Sequence, residues 1–305
     1  MRVSERLSDT ELLAFLKTLL PVKDWSEARL RPLPVSYTCR FWWLTVPGRS
    51  YLIKEFFPDN EENPLYPTLP EQEADALAVL ARHGLAPDLE AFAQSPAGTP
   101  LLVYGNAPRQ SEEIEVGEAA ELIGRFAALN EPIPSHQIVP SGYHEVLKSG
   151  DDMLALIPQS RKAANLLRLR PETDAVPRRE PVRSLVHRSF CLGTILATGD
   201  GARLIDWQFA GLGDPVEDIA CFVSPGLAML YGIHPLVAHV EDMFLEAYPQ
   251  QETVERFLEE RTAYHWRLAA YCLLRHETLS TTNAPAARAY GRALEEEVDL
   301  LLRLR

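Results

Sequence analysis

Residues able to do chemistry gather in one stretch, LVHRSFCLGTILATGDGARLIDWQFAGLGDPVEDIACF, from Leu185 to Phe222. It holds the imidazole of His187, the hydroxyls of Ser189 and Thr194, and the carboxylates of Asp206, Asp214 and Asp218. A carboxylate takes up a proton from a reacting group at neutral pH, and a serine hydroxyl does not, so which side chain stands where decides what the stretch can catalyse. Toward the amino terminus, Lys54 is the cation of the apolar run YLIKEFF, and EQEADALAVLARHG carries Glu71 and Glu73. The four cysteines, Cys39, Cys191, Cys221 and Cys272, are scattered with no C-x-x-C pair, which fits neither a disulfide framework nor a zinc site.

The long stretch resembles the active-site region of the aminoglycoside phosphotransferase and choline kinase family, which shares the protein-kinase fold. The family pattern is a histidine, one residue, an aspartate, and an asparagine five positions on. An Ile-Asp-Trp follows roughly a dozen residues later, then Gly-Asp-Pro and a further aspartate. Here His187, Gly193, Ile205-Asp206-Trp207, Gly213-Asp214-Pro215 and Asp218 keep that order and spacing. The resemblance implies ATP and magnesium as cofactors and a small-molecule hydroxyl as substrate. It assigns Asp206 to bridge the metal and the nucleotide phosphates, Lys54 to grip those phosphates, and Glu73 to pair with Lys54, with Glu71 as runner-up. LLVYGN, Leu101 to Asn106, falls where the family's hinge passes the adenine, so the backbones of Val103 and Gly105 are the implied contacts. The phosphate-covering turn falls at Pro34–Thr38, and Asp214 and Asp218 take the positions that brace the catalytic loop.

The departures are as informative as the matches. Ser189 stands where the pattern has its catalytic aspartate, and Thr194 stands at the metal-binding asparagine. The implied catalytic set is therefore His187, Ser189 and Asp206, and the implied metal set is Asp206 and Thr194. General-base assistance contributes about 10²–10⁴ in rate, or roughly 3–5 kcal/mol, which a serine forfeits. Arg188, Cys191 and Leu192 replace the usual glycine, histidine and proline, so the loop has drifted as a whole. PVSYT at 34–38 lacks the glycine that close backbone approach to phosphate favours. The expectation is a protein that binds ATP and magnesium through Lys54, Glu73 and Asp206 with impaired or absent transfer, a pseudokinase. The alternative is an active kinase of an amino-alcohol, aminoglycoside or sugar, because phosphoryl transfer rests mainly on positioning and electrostatics. A protein kinase is disfavoured, since the chain between Asp206 and Asp218 is too short to hold a peptide.

These residues need elements to position them. Ser8 followed by Glu11 reads as a capping box, and Leu12, Leu13, Phe15, Leu16, Leu19 and Leu20 give an apolar helical face. Tyr37–Val46 and Ser50–Phe57 read as a hairpin about Pro47-Gly48. A proline-rich acidic loop covers 58–70, a helix covers Glu71–His83, and short strands cover Leu89–Ala93 and Pro100–Tyr104. From Val116 the chain reads as mostly helical, with helices at Val116–Leu129, around Tyr143–Leu169, and after Asp214. The basic segment RLRPETDAVPRREPVR between them reads as a solvated linker, with anion binding by Arg168, Arg170, Arg178, Arg179 and Arg183 as the alternative. The fold class expected is α+β, protein-kinase-like and two-lobed: residues 1–104 as the nucleotide-binding lobe, 105–305 as a helical lobe carrying the catalytic loop. Its decisive expectation is that Asp206 faces Lys54 across room for triphosphate and metal.

The 305 residues carry a net charge of −13 and a pI near 5.1. An acidic surface repels a phosphate backbone, which argues against nucleic acid as a partner and suits a cationic substrate. Tyr264, His265, Trp266, Arg267, Tyr271 and Arg275 share one helical segment, whose aromatic rings could surround such a cation; a helix core with a snorkelling arginine is the simpler reading. No apolar run reaches the ~20 residues of a membrane span, the first residues do not read as a signal peptide, and the cysteine usage suits a reducing cytoplasm.

Overall fold

The computed structural model describes residues 7–33, 39–57, 63–105, 107, 114–129, 133, 137–180, 182–198 and 201–305, and the statements that follow concern those residues. They form two compact units. The first holds the described residues of Met1–Glu113, Glu131–Ser135 and Ile195–Phe209; the second holds those of Ile114–Asn130, His136–Thr194 and Ala210–Arg305.

In the first unit the capping box forms: Glu11 N donates to Ser8 Oγ and Ser8 N donates to the Glu11 carboxylate, opening α1 (Asp9–Leu19). A five-stranded antiparallel sheet follows, made of β1 (Arg29–Pro32), β2 (Cys39–Val46), β3 (Arg49–Phe56), β4 (Asp88–Gln94) and β5 (Pro100–Gly105), in the order β1-β2-β3-β5-β4. Gly48, at φ 76, makes the tight turn between β2 and β3. Leu12 and Leu16 of α1 pack on Trp42, Leu44, Ile53 and Val103, so one face of the sheet is sealed with apolar side chains. Burying each such side chain contributes about 1.5–3 kcal/mol.

Strand alternation then turns Leu52, Lys54, Leu102 and Tyr104 to the opposite face. On that side lies α2 (Pro70–Leu80), begun by a proline at its first position, where the missing N–H costs nothing. A 3₁₀ turn carries α2 on to His83, and Gly84 ends it in the left-handed region at φ 66.

The second unit is mainly helical: α3 (Val116–Ala127), α4 (Tyr143–Ala155), α5 (Arg161–Leu167), α6 (Val216–Val223), α7 (Pro225–Leu230), α8 (Ala238–Ala247), α9 (Gln251–Leu279) and α10 (Ala284–Arg303). The single helical stretch expected over 143–169 is two helices. Pro158 cannot continue α4, and Ser160 caps α5 by accepting from Ala163 N. Strands β6 (Ser184–Val186) and β9 (Gly211–Gly213) pair in this unit and bracket the loop that carries His187. Between them in sequence, β7 (Ile195–Thr198) and β8 (Gly201–Leu204) form the hairpin that leads to Asp206; it belongs to the first unit, tied there by Leu204 N donating to Leu85 O at 2.8 Å.

Helix α9 is the spine of the second unit, packed against α4, α6 and α10. The α4–α9 contact depends on Gly150, where a Cβ would lie 2.3 Å from Cζ3 of the fully buried Trp266. Alanine is the better helix former by about 1 kcal/mol, yet overpacking a filled core costs about 1–3 kcal/mol, and Trp266 has no room to retreat. Gly150→Ala is therefore expected to lower the urea midpoint and Tm, despite its gain in helix propensity; a raised midpoint would show that the ring moves freely.

Candidate active site

Lys54 lies in β3, between β2 and β5, and is fully buried rather than being a solvent-facing edge charge. Its Nζ donates to Glu73 Oε2 and to Asp206 Oδ1, each at 2.5 Å. Glu73 sits in the first turn of α2, buried, while Glu71 is exposed, so Glu73 is the partner that the geometry selects. The other oxygen of Glu73, Oε1, accepts from the hydroxyl of Tyr104 and, at 3.1 Å, from Trp207 N. Tyr104 Oη in turn accepts from Asp206 N at 3.1 Å. A closed ring results, running Lys54–Glu73–Tyr104–Asp206 and back to Lys54. Gln208 Nε2 adds a further donor to Asp206 Oδ1 at 2.9 Å.

This ring carries one positive and two negative charges out of water. Burial alone pulls the Lys54 pKa down, but Asp206 and Glu73 outweigh it and hold the ammonium above its ordinary value. Burial pushes the Glu73 carboxyl up against the pull of Lys54, and Asp206 adds to the rise. Burial, with both carboxylates, also raises Tyr104 well above its usual range, so it stays a neutral donor. Asp206 occupies the left-handed region at φ 71, a conformation that costs a non-glycine residue about 1–3 kcal/mol and is kept only where the surroundings impose it. Lys54 and Asp206 do face each other as expected, but in direct contact rather than standing apart.

In the second unit the loop after β6 is held by its backbone. Asp218 on α6 accepts from His187 N at 2.9 Å and from Arg188 N at 2.6 Å. Arg188 takes φ 67, and its side chain approaches Glu217, which also accepts from Arg267 at 2.5 Å. Ser189 Oγ lies 3.1 Å from His187 Nδ1, both residues being buried. Thr194 Oγ1 donates to Cys191 O at 2.9 Å and accepts from Cys191 N at 3.1 Å, so its hydroxyl closes a turn of its own loop. Asp214 accepts from Val216 N and from Arg256 at 2.9 Å. Asp218 thus braces the loop at 187–188, whereas the bonds of Asp214 run to the start of α6 and to Arg256.

Other expectations sort plainly. Val103 lies inside a strand paired on both sides, so its backbone serves the sheet; Gly105 ends β5, where a Cβ would meet Glu90 at 2.9 Å. The turn at 34–38, Asn106, and part of the acidic loop lie outside the described residues. Trp207 is fully buried with Nε1 on Leu204 O, and Phe209 stacks obliquely on Tyr66, so both are packing groups. On α9, His265 bonds Glu297 and Arg267 bonds Glu217, so its aromatic face is core. Arg170 and Arg179 of the basic segment are paired with Asp151 and Glu259. Tyr104 and Gln208 were not anticipated. The alternation that places Tyr104 on the face of Lys54 was readable, but nothing local to LLVYGN signals its role.

The phosphotransferase enzyme family model matches residues 29–260, and the chain belongs to that family. No curated protein sequence matches it. Among solved structures it is similar to choline kinase LicA from Streptococcus pneumoniae, with 16% identity over 96% of this chain and all of that one and a TM-score of 0.63. It is also similar to a thermostable variant of aminoglycoside phosphotransferase APH(4)-Ia solved with ADP and hygromycin B, with 16% identity, 97% and 99% coverage and a TM-score of 0.63. A choline/ethanolamine kinase family protein from Mesorhizobium loti follows at 13% identity, 95% and 99% coverage and a TM-score of 0.60. These likenesses establish the protein-kinase-like α+β fold. No helix among the described residues is long and apolar enough to cross a membrane.

A second buried carboxyl gives the second unit a pH signature. Glu260 on α9 is pushed up to about 7, first by burial and then by Asp214, against Arg256 and Arg179, and its Oε2 has no hydrogen-bond partner among the described residues. In the unfolded chain this carboxyl ionises near 4.5. Between 4.5 and about 7 the folded chain holds the extra proton, so the contribution of Glu260 to stability is complete below that window and is lost as pH rises through it. Asp218, likewise raised to about 7 by burial against its two backbone donors, adds a loss of the same sign. Glu260→Gln is expected to flatten part of the decline in Tm between about pH 5 and 8; a variant whose Tm–pH curve parallels the wild type would show that Glu260 ionises normally.

Proposed function

We propose that the chain is a phosphotransferase-family protein that binds ATP with magnesium and transfers phosphate poorly or not at all. The observation that carries this reading is the division between the two sets of residues: the ring of Lys54, Glu73 and Asp206 is complete, whereas the loop at 187–194 has no carboxylate at Ser189 and spends the hydroxyl of Thr194 on Cys191. The ring fits the implied group chemically. Its two carboxylates exceed its one ammonium, which favours a divalent cation at Asp206 and leaves Lys54 for a phosphate oxygen. Magnesium, when held by Asp206, supplies neutralisation of phosphate charge. With the nucleotide held, Asp206 would carry the metal and Lys54 a phosphate oxygen in place of their bond to each other. In this reading residues 1–104 with the Asp206 hairpin serve the nucleotide, Gly105 marks the start of the adenine contact, and the helical part takes a small, cationic substrate or effector. A cytoplasmic setting suits the four buried cysteines, none of which is in a disulfide.

One observation favours a second reading, an active kinase of an amino-alcohol, aminoglycoside or sugar. Ser189 Oγ and His187 Nδ1 are within hydrogen-bond distance at 3.1 Å. With Nδ1 unprotonated, a substrate hydroxyl would pass its proton to Ser189 Oγ while the serine proton moves to His187, replacing the missing base.

Three measurements separate these readings. At nucleotide about a hundred times Kd, linkage adds about 2.7 kcal/mol, so magnesium-ATP should raise Tm by several degrees; no rise at millimolar nucleotide ends both. If ATP binds, turnover against the three substrate classes should be near background. Ser189→Asp should then raise it by about 10²-fold or more, the scale of a restored base. Ser189→Ala discriminates further: it leaves a background rate unchanged under the first reading and abolishes a genuine one under the second.

A further inference from the structure

The hydroxyl of Tyr104 does something its aromatic ring does not require. Phenylalanine would fill nearly the same volume on β5, yet the phenol is spent on two partners, donating to Glu73 Oε1 and accepting from Asp206 N at 3.1 Å. The next amide, Trp207 N, donates to the same Glu73 oxygen at 3.1 Å. Two successive peptide N–H groups are therefore fastened to a Tyr104–Glu73 pair, directly at the residue whose backbone is left-handed at φ 71. Tyr104, Glu73 and Lys54 are fully buried and Asp206 nearly so, hence water does not stand in for a lost partner. Strand register accounts for the placement. Tyr104 opposes Leu52, two residues before Lys54, and so projects from the same face toward α2.

We propose that Tyr104 is a positioning residue for the nucleotide–metal site, its phenol clamping the Asp206 peptide so that the Asp206 carboxylate is aimed where Lys54 now meets it. The proposal rests on the nucleotide reading for its functional half and on the hydrogen-bond ring alone for its structural half. Tyr104 touches no reacting atom; it acts through Asp206 and Glu73.

The test is Tyr104→Phe in the full chain, with Tyr104→Met as a second hydroxyl-free side chain of adaptable shape. Without nucleotide, residue-resolved amide exchange should accelerate about tenfold at Asp206, the factor expected for one buried hydrogen bond, while amides of α1 and the β2–β3 hairpin keep their protection. Unchanged protection at Asp206 overturns the clamp. With nucleotide, the affinity ratio between magnesium-ATP and metal-free ATP should fall several-fold, because only the metal-dependent part needs an aimed Asp206. An unchanged ratio in a variant that still binds nucleotide overturns the positioning role of Tyr104 and leaves the nucleotide reading standing. A wild-type chain that binds no nucleotide overturns that reading and the positioning role together, even where the exchange result upholds the clamp.

Discussion

One ammonium lodged between two carboxylates, all three withdrawn from water, is the constraint around which the first unit is built. Charges taken into a dry interior are costly unless paired and hydrogen-bonded, and removing one member of such a set destabilises by about 3–5 kcal/mol. The surrounding elements meet that condition from several directions. β3 is an interior strand, which fixes the Lys54 backbone through both neighbours. α2 starts at Pro70, placing Glu73 in the first turn, where the helix's N-terminal partial charge favours a carboxylate. The rings of Phe56 and Phe41 flank Nζ at 4.5 and 5.7 Å, lending the cation their faces. The β7–β8 hairpin brings Asp206 in from a distant part of the sequence at the expense of a left-handed backbone.

In the second unit different residues set the course of the 187–194 loop and the chemistry of its side chains. Shape is set by the backbone bonds of Asp218 to His187 and Arg188, with Glu217 gathering Arg188 and Arg267 behind the loop. Chemistry is set by the side chains at 189 and 194. A carboxylate at 189 is an acceptor only and needs donors from a substrate or the loop; a serine both donates and accepts and finds His187 close by. Thr194 likewise meets its needs within one turn, at Cys191. The loop backbone is therefore tied to α6 while the hydroxyls of Ser189 and Thr194 find partners within the loop.

How much of this was legible follows from where each signal resides. Lys54, Glu73 and Asp206 stood out because motif spacing marks them, and the hairpin around Gly48 and the capping box at Ser8 were readable because their causes are local. Helix α2 was legible to within a residue or two for the same reason. The register of β5 against β3 is a tertiary fact, so LLVYGN alone does not tell that Val103 lies mid-strand and Gly105 at its end. The role of Tyr104 depends on Asp206 and Glu73, residues remote in sequence whose meeting no local pattern records. The split of α4 from α5 was signalled by Pro158 but masked by apolar periodicity on both sides. On α9, an aromatic run resembling a cation cage proved to be core, because His265 and Arg267 find buried carboxylates at Glu297 and Glu217.

Stability alone does not account for the ring. A buried ion-paired set replaced by apolar side chains of similar volume is often as stable or more so, since no desolvation then has to be offset. α1 shows that this sheet accepts a mainly apolar solution: its other face is closed by Leu12, Leu16, Trp42 and Ile53, with the Arg40–Glu55 pair beside them and Asp9 accepting from Trp42 Nε1. On the face toward α2 the chain instead places three charged groups, a strained Asp206 and a tyrosine hydroxyl that ties two of them together. In the proposed reading the negative excess of that set is met by a divalent cation at Asp206, with Lys54 turned to a phosphate oxygen. Under the proposed function, a serine at 189 and an intact Lys54–Glu73–Asp206 set are compatible, because holding a nucleotide requires no general base.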